Sequence, residues 1–136
     1  MAFAWTLALE TGHPMIDAQH KELIKAVNDL LAACIQGNAA DKVNSTVDFL
    51  LSYTKKHFGE EEQLQQQTNY PDIAHHKVLH AEFVKYVADL SAKLKEQGPS
   101  PILINNIIRG VGEWLVNHIQ KEDVKVAAHA KKTSGG

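Results

Sequence analysis

The sequence predicts an all-α protein, an antiparallel up-down-up-down four-helix bundle with an irregular N-terminal arm. Three observations carry this prediction. Apolar residues recur at spacings of three and four along four long segments, the pattern of a helix with one buried face. Glycine or proline stands in each gap between those segments, and no segment alternates as a strand does. Short connections between long helices place neighbouring helices antiparallel.

The arm and the first helix are separated by helix-start signals. Residues 1–16 are expected to form the arm, because Pro14 disfavours a helix interior there. Asp17 is a suitable N-cap for a first helix over 18–36. Gly37 then supplies the C-terminal stop.

Breaking motifs bound the other three helices. A second helix is expected over 41–66, ending before the motif TNYPD, and Asp72 can cap a third helix over 72–97. The motif GPSP supplies a stop, a capping serine and a first helical proline for a fourth helix over 101–128. The final residues, 131–136, are expected to be a flexible tail.

Composition limits the classes of function. A chain of 136 residues with 44 % hydrophobic residues predicts one domain with a substantial core. A formal net charge of −2 argues against nucleic acid or an anionic membrane surface as partner. No apolar run approaches the roughly 18 residues of a membrane span. The single cysteine, Cys34, excludes an internal disulfide framework and fits a reducing cytoplasm, where we expect a monomer.

Every predicted helix carries a polar residue in its apolar stripe. The inward positions hold five of the eight histidines and one glutamate: His20, His57, Glu61, His76, His80 and His118. In an antiparallel bundle, the start of helices one and three and the end of helices two and four share one end. All six side chains therefore converge on one level, while the opposite end has an ordinary apolar core.

A metal explains this convergence better than hydrogen-bonded core histidines do. A single inward histidine is more often a satisfied core residue than a ligand. Each buried polar group without a partner costs about 1–3 kcal/mol, however, and a domain has only about 5–15 kcal/mol of net stability. Six such groups at one level would compromise the fold unless the ring nitrogens bind something.

The ligand set indicates two metal ions rather than one. A closed zinc site takes about four ligands, and this set is larger and has no thiolate. Magnesium and calcium prefer oxygen donors, whereas this set is rich in nitrogen. Two ions that share carboxylates fit the count, and a four-helix bundle is a natural host for a di-iron core. The Glu-x-x-His motif of ferritin-like proteins is absent from the helix interiors.

Four motifs together resemble the hemerythrin family, specifically its single-domain bacterial members. They are IDAQHKEL, HFGEEE, HHKVLHAEF and WLVNHIQKED, in that order and one on each predicted helix. The resemblance implies two non-haem irons, joined by an oxo or hydroxo bridge, that bind dioxygen reversibly. It implies oxygen transport, storage or delivery, with an oxygen-consuming enzyme as a possible recipient.

The resemblance also assigns the ligands. His76, His80 and His118 would hold one iron, His20 and His57 would hold the other with one position left open, and Glu61 and Asp123 would bridge the two.

Spacing alone does not select Asp123. It lies five residues after His118, about 140° around a regular helix, and Glu122 faces the core better. The assignment therefore asks for a π-type turn or a bent helix end. Glu60, Glu62 and His75 are expected to be solvated.

Two readings of such a centre stay open. A binding protein is favoured because the ligands leave a single open position, and we do not expect an enzyme. The alternative is a di-iron enzyme or sensor that handles oxygen, peroxide or nitric oxide. In the binding reading, four apolar side chains are placed to form the wall of the dioxygen pocket: Leu23, Ile24, Trp114 and Leu115.

Overall fold

The computed structural model describes residues 3–134 and shows the predicted bundle. After a short 3-10 turn (Leu7–Leu9), its helices are α1 (Pro14–Gln36), α2 (Ala39–Gln67), α3 (Ile73–Gln97) and α4 (Pro101–His118). A π-helical segment (Ile119–Asp123) joins α4 without a break to α5 (Val124–Ser134). Helices α1 and α3 each pack against both α2 and α4, and the described residues contain no strand. The all-α four-helix prediction is confirmed.

The first helix begins earlier than expected. Its N-cap is His13, whose Nδ1 accepts a hydrogen bond from the backbone N–H of Ile16, and Pro14 occupies the first helical position. Proline is favoured there because its fixed φ is helical and its missing N–H would have no partner. Asp17 is therefore inside the helix and not its cap. Its carboxylate instead accepts hydrogen bonds from the backbone N–H and the hydroxyl of Thr11.

Two of the expected helix-end signals act as predicted. Gly37 adopts a left-handed conformation (φ 82°), and its N–H bonds to the last carbonyls of α1. Ser100 caps α4 by accepting a hydrogen bond from the N–H of Leu103, 3.1 Å away. Asp72 occupies the N-cap position of α3, but its side chain makes no capping hydrogen bond.

The fourth helical rod is longer than the expected 101–128. It continues through α5 to Ser134, so residues 131–134, which were expected to lie beyond the helix, are helical, and residues 135–136 lie outside the described part. The last turns are rich in alanine and lysine, which favour helix, and residues 124–134 contain no glycine or proline. Ala130 is buried, which anchors this end of the rod.

The apolar core leaves one level of the bundle for polar groups. All four long helices contribute to the main core, which includes Leu23, Val27, Leu30, Val43, Val47, Leu50, Phe83, Val87, Ile107 and Val111. A second, smaller cluster of Ile16, Tyr70, Val126 and Ala127 lies nearer the end of the bundle. The inward histidines lie between these clusters, so apolar side chains shield them on both sides.

The N-terminal arm packs onto α1 and α4 of the bundle. The backbone N–H and carbonyl of Phe3 both bond to the side chain of Asn28, at 2.8 and 2.9 Å. The ring of Phe3 fits against Gly112 on α4, where an added Cβ would overlap it. Within the described residues, no helix has the length and apolar character needed to cross a membrane.

Candidate metal centre

The structure brings all seven predicted ligand side chains together in the interior of the bundle. None of them is more than 6 % exposed: His20, His57, Glu61, His76, His80, His118 and Asp123. His20 lies near the start of α1, and the α2 and α3 residues form pairs four positions apart, which lie on the same face of a helix. His118 is the last residue of α4, and Asp123 is the last residue of the π-helical segment that follows.

The π-helical segment explains how Asp123 reaches the interior. It begins directly after His118 and includes Asp123, and its wider i→i+5 turn lets residues five apart share a face. Asp123 is 1 % exposed and lies 3.0 Å (Oδ1) from His118 Nε2. Glu122, which a regular helix would turn inward, is only partly buried. The expected π-type distortion is confirmed.

The two carboxylates each face two different groups of histidines. Asp123 Oδ1 lies 3.0 Å from the Nε2 atoms of both His76 and His118, whereas its Oδ2 lies 2.8 Å from His20 Nε2. One side of the carboxylate therefore faces α3 and α4, and the other faces α1.

Glu61 repeats this division. Its Oε1 lies 2.7 Å from His76 Nε2 and 3.4 Å from His80 Nε2, whereas its Oε2 lies 3.6 Å from His57 Nε2. The donors therefore form two groups that share both carboxylates. One group adds His76, His80 and His118, and the other adds His20 and His57.

Many of these donor atoms make no well-directed hydrogen bond within the described residues. The Nε2 atoms of His20, His57 and His80 and all four carboxylate oxygens are buried and lack one, even where a nitrogen and an oxygen lie close together. His76 and His118 direct their Nε2 atoms at each other, 3.1 Å apart. Buried polar atoms in native proteins are almost always satisfied. Such a concentration of unpartnered nitrogen and oxygen donors fits a site for metal cations.

Electrostatics at the site favour cation binding. Burial lowers the pKa of His57 to about 4, so its imidazole is neutral and can act as a ligand at pH 7. Burial would also lower the pKa of His76, but contacts with Asp123 and Glu61 outweigh it and raise that pKa to about 9. Burial would raise the pKa of Asp123, yet the neighbouring imidazoles, His118 first, hold it well below its usual range. At pH 7, a cation that binds His76 would have to displace a proton from this imidazole.

Hydrogen bonds outside the donor groups orient two of the histidines. His57 Nδ1 donates to Gln19 Oε1 at 2.6 Å, and His80 Nδ1 donates to Glu62 Oε2 at 2.8 Å. Each bond fixes the tautomer, so that the Nε2 lone pair points towards the centre. Sequence reasoning missed both partners. The expectation that Glu62 is merely solvated is wrong, because its side chain is 27 % exposed and bonded to His80.

Aromatic rings pack against His80 and His118 and hold them in place. The ring of Phe58 stacks on His80 with centroids 3.8 Å apart, and the indole of Trp114 stacks on His118 at 4.4 Å. Trp114 is partly buried.

The other three predicted wall residues, Leu23, Ile24 and Leu115, are at most 3 % exposed and belong to the main core. Of the four, Trp114 contacts a site histidine, and the contact of all four with a ligand remains a prediction.

The three remaining histidines lie outside the donor groups. His13 caps α1, and His129 Nε2 donates to the carbonyl of Thr68 at 2.7 Å. His75 is exposed, as expected.

Comparison with known proteins identifies the family. A family model described as the hemerythrin HHE cation binding domain matches residues 11–130. The chain is 36 % identical over 120 residues to the bacteriohemerythrin of Methylococcus capsulatus, covering 88 % of this chain and 89 % of that protein. It is 28 % identical over 123 residues to the myohemerythrin of Theromyzon tessulatum, covering 90 % and 89 % of the two chains.

Solved structures agree. The crystal structure of a wild-type hemerythrin superposes with a TM-score of 0.80 at 34 % identity, over 91 % of this chain and 94 % of the other. A leucine-to-alanine variant of hemerythrin superposes with a TM-score of 0.83 at 33 % identity, over 95 % and 98 % of the two chains. From the family match, these relatives and the shared fold, the chain belongs to the hemerythrin family.

Proposed function

We propose that this protein binds dioxygen reversibly at a centre of two non-haem irons and serves in oxygen transport, storage or delivery. The observation that carries the proposal is the division of Glu61 and Asp123, each of which presents one oxygen to each group of histidines. A single ion would not require two carboxylates that each face both ways. Membership of the hemerythrin family supports iron and dioxygen as the metal and the ligand.

The two donor groups differ in size, which supports a binding role. In our assignment, His76, His80 and His118 would hold one iron, and His20 and His57 would hold the other. Glu61 and Asp123 would be shared between the irons, and an oxo or hydroxo group would complete the centre. The second iron would have one protein ligand fewer, which would leave one position for a small ligand. When bound and ferrous, the two irons supply the electrons and the open position that reversible dioxygen binding requires.

Burial keeps the imidazole of His57 neutral, and hydrogen bonds aim the imidazoles of His57 and His80. Burial lowers the pKa of His57 to about 4, so at neutral pH a proton does not compete with a metal for this imidazole. Gln19 holds its ring orientation through Nδ1, and Glu62 does the same for His80. The carboxylate of Glu62 thus keeps the Nε2 atom of His80 free to bind a metal.

The apolar side chains would exclude water from the ligand. We propose that Leu23, Ile24, Trp114 and Leu115 form the wall beside the open position. Small cavities lined by leucine and isoleucine stay dry, and an apolar gas still enters them. A dry wall protects bound dioxygen from protons and so favours its release unchanged.

A carrier is favoured over an enzyme because the proposed ligand set leaves no second open position where a substrate could meet oxygen. We therefore propose a monomeric, cytoplasmic protein without catalytic turnover, which could deliver oxygen to an oxygen-consuming enzyme. The names of the relatives, bacteriohemerythrin and myohemerythrin, agree with this class of function.

A cycle of oxygenation tests the proposal. The protein is reduced without oxygen, exposed to oxygen, and then returned to vacuum while its absorption spectrum is followed. We expect a spectral change that reverses over repeated cycles, with no product accumulating. An irreversible change, or consumption of oxygen with every cycle, would indicate an oxidase or a peroxide-handling enzyme instead.

A further inference from the structure

A second group of metal-binding side chains lies at the protein surface. Asp72 is the N-cap residue of α3, His75 lies in the first turn of that helix, and Glu122 lies on the π-helical segment. One ligand atom from each lies within 4.8 Å of the other two. Asp72 and His75 are exposed and Glu122 is partly buried, so the group is open to solvent.

Within the described residues, none of these three side chains shows another structural role. Asp72 stands at an N-cap position, but its carboxylate makes no capping hydrogen bond. Within residues 3–134, neither carboxylate forms an ion pair with lysine, arginine or histidine inside 4.0 Å. Two carboxylates are thus held close together without a protein cation to neutralise them, and like charges at this spacing repel.

The π-helical segment is the reason that Glu122 belongs to this group. A regular helix would turn Glu122 inward, whereas the wider turn brings Asp123 inward and leaves Glu122 beside α3. One geometric feature therefore supplies a carboxylate to the buried centre and a neighbouring carboxylate to the surface group. In the same way, the adjacent residues His75 and His76 on α3 divide between the two sites: His75 belongs to the surface group and His76 to the buried centre.

The donors suit a particular class of cation. An imidazole with carboxylates is a common set for divalent first-row transition metals, and bonds to zinc are about 2.0–2.2 Å long. With bonds of this length, the ligand atoms around one ion are about 3–4 Å apart. Small rotations of these exposed side chains would bring their ligand atoms, now within 4.8 Å of one another, to that separation. The two negative charges balance a dication, and water can complete the coordination.

We propose that Asp72, His75 and Glu122 form a surface site that binds one divalent transition-metal ion, separate from the buried centre. The ion cross-links the start of α3 to the π-helical segment. Because the site is open to solvent and has three protein ligands, it exchanges its ion more readily than the enclosed centre does. The proposal does not depend on what the buried centre binds.

Calorimetric titration with Zn²⁺ tests the site. The protein is first loaded with iron, and its iron content is measured before and after the titration. We expect the wild type to bind one additional Zn²⁺ per chain while retaining its iron. His75→Gln and Glu122→Gln should each weaken this binding at least about tenfold, because even loss of a residue that hydrogen-bonds to a metal ligand costs about that much. Glu82→Gln, which removes an exposed carboxylate elsewhere on α3, should leave it unchanged.

Melting temperature provides a second readout. Zn²⁺ should raise the melting temperature of the iron-loaded wild type and of Glu82→Gln, because a ligand that binds the folded state stabilises it, and should raise that of His75→Gln less. Absence of the additional Zn²⁺, or equal Zn²⁺ binding in all four proteins, would overturn the proposal. If the buried centre held no iron, the iron measurement would show it, and the difference between wild type and His75→Gln would still report the surface site.

Discussion

Replacing Asp123 by alanine tests the ligand assignment at its least obvious position. Asp123 is 1 % exposed, and its two oxygens lie 2.8–3.0 Å from three histidines that belong to both donor groups. The substitution therefore removes a ligand from each proposed iron. Loss of a residue that only hydrogen-bonds to a metal ligand already lowers metal affinity about 10–100-fold. We therefore expect loss of a ligand itself to lower the affinity at least tenfold at each iron. Tenfold corresponds to about 1.4 kcal/mol.

The adjacent Glu122→Ala is the matched control. It removes the same kind of charge one residue away, but from a partly buried side chain outside both donor groups. Both variants and the wild type would be loaded with iron, passed over a desalting column with a weak chelator that also removes any ion from the proposed surface site, and analysed for iron per chain. Circular dichroism would check that each remains folded. Wild type and Glu122→Ala should retain two irons, and Asp123→Ala should retain fewer. Equal contents, or a larger loss in Glu122→Ala, would refute the assignment.

Three further predictions follow from the structure around the site. Leu115→Ala should destabilise the protein by about 2–5 kcal/mol, as truncation of a buried leucine does, and should speed autoxidation of the oxygenated form; an unchanged decay rate would leave Leu115 as core only. Glu62→Gln should weaken metal binding about tenfold in a chelator competition, because His80 loses a charged acceptor, and an unchanged affinity would remove Glu62 from the centre. Removal of metal should lower the melting temperature, since binding is coupled to folding, and equal melting of both forms would contradict the energetic argument for the site.

The inward histidines were predictable because helical periodicity alone decides which face a residue occupies. His20, His57, His76, His80 and His118 all fall in apolar stripes, and chain direction brings them to one end. Burial of these side chains follows from the same physics as burial of the leucines beside them. The bundle architecture follows equally directly from four long periodic segments and short connections.

Asp123 was not predictable from periodicity, because a π-helical turn changes the period that the argument assumes. On a regular helix, five residues after His118 lie about 140° away. Only the family motif WLVNHIQKED indicated that the rule fails here. The π-helical turn places a buried carboxylate among three imidazoles, and these contacts offset the energetic cost of the irregular backbone.

The partners of the histidines and the helix ends were harder for a different reason. Gln19 and Glu62 lie beside a stripe and not in it, and their side-chain rotamers determine whether they reach His57 and His80. The start of α1 was misplaced because Asp17 is a better capping residue than His13 by general preference. In the structure, local contacts with Thr11 engage Asp17 instead.

The most direct test of the central claim combines metal analysis with reversible oxygenation in one sample. Iron per chain is measured, and the reduced protein is then cycled between oxygen and vacuum while its absorption spectrum is recorded. The proposed centre predicts two irons per chain and a spectral change that appears with oxygen, disappears under vacuum and repeats. A single zinc per chain, no stoichiometric metal, or two irons whose spectrum does not respond reversibly to oxygen would contradict it.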